Sequence, residues 1–118
     1  MSGSDSLKAL RARLADFAAE REWDAFHNPK NLAMALAGEV GELLEHFQWL
    51  TPEQAQTLPA PTRDEVALEA ADVLLYLIRL CDKLEIDLGA AAERKLAINA
   101  ARYPVDKARG RAAKYDKL

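Results

Sequence analysis

The chain has one cysteine, Cys81, among 118 residues, so no intrachain disulfide can form and nothing calls for an oxidising compartment. Cys81 lies in the apolar run DVLLYLIRLC and reads as a small buried hydrophobe rather than a nucleophile. Valine and isoleucine together number only seven, against 23 Ala and 18 Leu. β-Branched strand formers are therefore scarce, while Ala and Leu lose little rotamer entropy in a helix, which argues against an all-β fold. Long hydrophobic runs are missing too. The longest uncharged one, Val73 to Ile78, is too short to span a bilayer. The opening MSGSDSLKAL has no basic segment leading into an apolar core, so no signal peptide and a cytoplasmic location are expected. Excess positive charge is also absent. With 16 Lys+Arg against 19 Asp+Glu the formal net charge is −3, which points away from polymeric nucleic acid, whose phosphates need neutralising cations. An apolar share of 50% excludes disorder.

What is there is helical periodicity. From Asp5 to Arg21, Leu7, Leu10, Leu14, Phe17 and Ala18 recur at spacings of three and four. Asn28-Pro29 is an N-cap followed by proline at the first helical position, opening a second helix expected to reach about Leu50. Thr51-Pro52-Glu53-Gln54 repeats that signal for a short helix or turn. Thr62 and Glu65 have capping-box spacing and are expected to start a third long helix ending near Glu85. Asp87 caps a fourth, which Pro104 should stop near Arg102, leaving 105–118 basic and irregular. The expected fold is all-α, a four-helix bundle in one domain, with 1–5 and 111–118 as flexible ends.

The most informative residues are two acid pairs, Glu39 with Glu42 and Glu69 with Asp72. A spacing of three puts both members of each pair on one helix face. On a helical wheel Glu42, His46 and Trp49 flank Glu39 along the edge of the apolar arc formed by Leu32, Leu36, Val40, Leu43 and Phe47. Glu65, Asp72 and Tyr76 flank Glu69 in the same way. The third long helix carries apolar residues around most of its circumference, so part of it should meet another subunit.

Such acids often form a solvated face with local cations. Here no Lys or Arg occurs from Asn31 to Thr62 or from Asp64 to Ile78. Clustered carboxylates bordering a core repel one another and are costly to desolvate, and a divalent cation resolves both problems. Oxygen-only ligands favour Mg²⁺, Mn²⁺ or Ca²⁺. Neither His27 nor His46 has Glu three residues before it, which disfavours a di-iron centre. Mg²⁺ shares its shell with substrate phosphates, and the fourth long helix offers a complement, Lys95, Asn99 and Arg102 on one face. The charge divides accordingly: residues 39–72 carry eight acids and one Arg, residues 94–118 eight cations and two acids.

At these residues the sequence resembles the all-α nucleoside triphosphate pyrophosphohydrolases of the MazG-like superfamily. The family motif ExxE…ExxD is matched by Glu39-Val-Gly-Glu42 and, after a gap of 26 residues, Glu69-Ala-Ala-Asp72. Glu20-Arg21-Glu22-Trp23, Phe26-His27-Asn28-Pro29, Phe47-Gln48-Trp49, Asp72-Val73-Leu74-Leu75-Tyr76 and Lys95, Ile98-Asn99, Arg102-Tyr103-Pro104 are similar to its dCTP pyrophosphatase branch. The resemblance implies hydrolysis of a (d)NTP, with dCTP or modified dCTP as first expectation, to (d)NMP and pyrophosphate in nucleotide pool cleansing. It implies Mg²⁺, with Mn²⁺ possible, on Glu39, Glu42, Glu69 and Asp72, and phosphate contacts from Lys95, Asn99 and Arg102. It implies an aromatic base pocket at Trp23, His27, Trp49 and Tyr76, and a tetramer built as a dimer of dimers. Lys95 would neutralise further charge, and either Glu42 or Glu45 could accept the water proton. The alternative is a noncatalytic metal- or nucleotide-binding regulatory module on the same scaffold. His46 stands where that branch is usually apolar, and it reads as a rim histidine.

Overall fold

The computed structural model describes residues 3–118, with side chains from residue 6 onward. Every regular element is helical: α1 Gly3–Glu20, α2 Pro29–Glu45, α3 Pro52–Gln56, α4 Ala60–Lys83, α5 Leu88–Arg102 and α6 Val105–Ala108, with a 3₁₀ turn at Tyr115–Lys117. No strand occurs among the described residues. The four long helices fall where the periodicity puts them. Among the described residues no helix is long and apolar enough to cross a membrane.

Caps explain the starts. The Asn28 side chain accepts from the Asn31 backbone N–H at 2.9 Å, and Pro29 opens α2. Thr51 and Gln54 form a reciprocal capping box around α3. Asp87 accepts from the Ala90 N–H at 3.0 Å and starts α5. α1 and α4 both stop through left-handed residues, Glu22 (φ 54°) and Glu85 (φ 56°). In each case the following N–H reaches back five residues, Trp23 to Ala18 and Ile86 to Cys81, which closes a Schellman motif.

Three boundaries differ from expectation. The Thr62–Glu65 capping box is not the start of α4: the helix begins at Ala60 behind Pro59, with Pro61 in its first turn and no side-chain cap. Proline needs no N–H there and its fixed φ suits the first turn, so the helix starts earlier than Thr62. α2 ends at Glu45 rather than Leu50, because Phe47 and Leu50 turn back three residues, to Leu44 and Phe47. Pro52 also holds Thr51 extended (ψ 161°). The segment 105–118 is not wholly irregular, since it contains α6 and the 3₁₀ turn. Of the segment 1–5, Met1 and Ser2 lie outside the described residues.

α4 is the centre of the molecule. α2 packs along it, α1 crosses it, and α5 packs on α1. Among the described residues the buried apolar ones are Ala18, Leu32, Ile78 and Cys81, a small core for this length. The chain exposes 8925 Å² with a radius of gyration of 17.5 Å. A compact monomer of this size would expose about 6,400 Å² at a radius near 13.5 Å. The surplus is apolar in part: Met34, Val40 and Leu44 of α2, Leu68 and Leu74 of α4 and Leu96 of α5 are all exposed.

Candidate active site

α2 and α4 bring the two acid pairs together. One carboxylate oxygen each from Glu39, Glu69 and Asp72 lie within 4.8 Å of one another. Glu42 sits within hydrogen-bonding reach of both Glu39 and Glu69. The Oε2 atoms of Glu39 and Glu69 are buried and have no hydrogen-bond partner. Burial, then the hydrogen-bonded and like-charged Glu42, then Asp72, push the Glu39 and Glu69 carboxyls above the ordinary glutamate range. His46, at the α2 C-cap, opposes this for Glu69: its ring nitrogens lie 3.8 Å from Glu65 and 4.0 Å from Glu69. Buried carboxylate oxygens with no donor and like-charged neighbours are what a hard divalent cation satisfies, so Glu39, Glu69 and Asp72 fit a metal, with Glu42 beside them. Glu42 and Glu45 are both exposed and outside the three-residue group, and of the two only Glu42 acts on Glu39 and Glu69.

Beside the acids lies a cavity of about 410 Å³. Its walls include Phe17, Trp23, His27, Asp72, Tyr76 and Arg79. Asp72 therefore belongs to both the acid cluster and the cavity. The Schellman turn after α1 carries Trp23, whose ring meets Phe17 edge-on at 5.6 Å and His27 at 6.0 Å. Of the four expected base-pocket residues, Trp23, His27 and Tyr76 line the cavity. Trp49 is 85% exposed and stands apart from it.

The expected phosphate contacts are not in this group. Lys95, Asn99 and Arg102 lie on α5, which packs on α1, and none of them lines the cavity. Lys95 is exposed with no ion pair among the described residues. The Arg102 guanidinium stacks over the Tyr115 ring at 4.6 Å, and Tyr115 meets Tyr103 edge-on at 6.1 Å.

Sequence reasoning missed one cluster. Arg79 of α4 is 5% exposed. Its guanidinium pairs with Asp24, lies 3.4 Å from Asp82 and donates from Nε to His27 Nδ1 at 3.1 Å. Lys83 also donates to Asp24, at 3.0 Å, and these two cations hold the Asp24 carboxyl below the ordinary range, Lys83 foremost. The cluster ties the 21–28 loop, with Trp23 and His27, onto α4. The signal was available: Arg79 is the one charge between Val73 and Cys81, and a buried guanidinium needs partners.

Comparison with known proteins identifies the family. The model of the MazG-like family matches residues 35–118. dCTP pyrophosphatase 1 from Mus musculus is 44% identical over 119 residues, 99% of this chain and 70% of that protein, and its Homo sapiens counterpart matches equally well. The crystal structure of a pyrophosphatase from Archaeoglobus fulgidus superposes with a TM-score of 0.79 at 40% identity, covering 84% of this chain and 93% of that one. Both motif acid pairs fall inside the matched segment, and the chain belongs to the MazG-like family.

Proposed function

We propose that this nucleoside triphosphate pyrophosphohydrolase is Mg²⁺-dependent, with Mn²⁺ an alternative, and converts dCTP or a modified dCTP to the monophosphate and pyrophosphate. The observation that carries the metal assignment is the pair of donorless buried oxygens on Glu39 and Glu69, next to Glu42 and Asp72. The cavity suits a nucleoside in size and is walled by Trp23, His27 and Tyr76. Asp72 belongs to the acid group and lines the cavity, which supports a base pocket next to the metal ligands, the order of parts a nucleoside triphosphate requires.

A bound divalent cation supplies a water of lowered pKa and neutralises phosphate charge. Glu42, facing both Glu39 and Glu69, is the carboxylate suited to accept the proton of the attacking water. Water adds across the bond between the α- and β-phosphates, and pyrophosphate leaves. Lys95 and Arg102 neutralise the phosphates, and Asn99 hydrogen-bonds them, from a neighbouring subunit in a dimer of dimers. Two features support that placement: α5 packs chiefly on α1 and none of the three residues lines the cavity, and the exposed apolar surplus calls for partner subunits. We read the whole chain, 1–118, as one domain working in the cytoplasm in nucleotide pool cleansing.

The test is incubation of the purified protein with Mg²⁺ and a panel of canonical and modified dNTPs, resolving mono- from diphosphate products. Monophosphate plus pyrophosphate is expected, with cytosine nucleotides turned over best. Absence of turnover for any triphosphate would leave the noncatalytic module in its place, and diphosphate plus orthophosphate would overturn cleavage between the α- and β-phosphates. Glu42→Gln and Asp72→Asn should abolish Mg²⁺-dependent turnover while the fold remains intact.

A further inference from the structure

We propose that Arg79 is a positioning residue that locks His27 in its neutral Nε2–H tautomer, so that this wall of the cavity presents one hydrogen-bond donor to an acceptor atom of the nucleobase. The inference deepens the base-pocket role proposed for His27 and rests on it. A guanidinium carries only N–H donors, so a ring nitrogen bonded to it must offer a lone pair. Arg79 Nε–H occupies His27 Nδ1 at 3.1 Å. In the neutral ring the proton then sits on Nε2.

Arg79 has little freedom to release this bond. It is 5% exposed and held by Asp24 and Asp82 as well as by His27. His27 Nε2 has no partner among the described residues, and the ring lines the 410 Å³ cavity beside Trp23. A protonated ring would set an Nδ1–H against the guanidinium, donor against donor. Burial first, then Arg79 and Lys83, accordingly hold the His27 pKa below the ordinary value of 6.5, with Asp24 opposing them. Around the cavity the remaining ionisable groups are Arg13 of α1 and Asp72 and Tyr76 of α4. A fixed donor recognises a base through an acceptor, such as a ring nitrogen or carbonyl oxygen of a pyrimidine, and disfavours a base that turns an amino group to the same place.

The experiment is long-range ¹H–¹⁵N correlation NMR of the ligand-free protein, with the two histidines told apart by His27→Gln. The expected pattern is a protonated Nε2 and a bare Nδ1 at His27. A protonated Nδ1, or a rapidly exchanging mixture, overturns the proposal without touching the hydrolase reading. Arg79→Met should release the ring into a tautomer mixture and raise KM for the preferred triphosphate by about tenfold, the loss of one neutral hydrogen bond, with kcat little changed. Arg79→Lys keeps a donor for Nδ1 and should restore both readouts, which a merely structural role would not predict. An unchanged tautomer in Arg79→Met refutes Arg79 as its cause. If the tautomer is as stated but saturating nucleotide leaves the His27 signals unmoved, the contact with the base is refuted.

Discussion

Leu44→Glu should break the proposed assembly while leaving the single chain's helices in place. Leu44 is 57% exposed and Val40 47% exposed, next to each other on the flank of α2 that α4 does not cover. The excess surface over a compact monomer is about 2,500 Å² per chain, or about 5,000 Å² for a pair, within the range of obligate homodimers. Burying a leucine side chain is worth roughly 1.5–3 kcal/mol, and a two-fold interface counts each substitution twice. The loss of apolar contact alone is then about 3–6 kcal/mol, or roughly a hundred- to ten-thousandfold in dissociation constant. The added carboxylate must also be desolvated, which moves the figure upward. Sedimentation velocity over a dilution series measures the dissociation constants of both proteins, and circular dichroism checks the helices. A wild-type chain that sediments as a monomer, with a melting temperature independent of concentration, would refute the reasoning. So would unchanged association in Leu44→Glu.

Three further outcomes follow from the same geometry. Burial and Glu42 raise the pKa values of Glu39 and Glu69 above 4.5, so their ionisation costs more in the folded chain than in the unfolded one. Thermal melts in EDTA should therefore show stability highest below about pH 4.5 from this source and falling as pH rises through the raised values, whereas Mg²⁺ should flatten that slope. Glu85→Gly, which relieves a left-handed non-glycine residue at φ 56°, should raise stability by about 0.5–1 kcal/mol, read as a shift of a few degrees in Tm. Glu42→Gln and Lys95→Met, each inactive alone, should regain activity when mixed and reassembled, because a mixed pair holds one site with both residues; no recovery would place Lys95 in the same subunit's site.

The four long helices and most of their starts are legible in the sequence, because caps are local. Asn28, Thr51 and Asp87 each bond a backbone N–H three residues on, and the residues that do so are visible without a fold. The sequence also determined the two acid stripes, because a spacing of three fixes a shared helix face. It misjudged the start of α4, since Thr62 and Pro61 both carry start signals and only the built helix decides between them. Which stripes meet is a matter of packing. The contact between α2 and α4 puts Glu39 and Glu42 against Glu69 and Asp72 and leaves two buried oxygens without donors. Packing likewise separated Trp49 from Trp23, His27 and Tyr76, which share an aromatic character in sequence but not a wall in space. The Asp24–Arg79–His27 cluster joins residues more than fifty positions apart. No local pattern records such a pairing. The choice is made when α4 closes over the loop after α1 and a buried guanidinium must find acceptors for its donors.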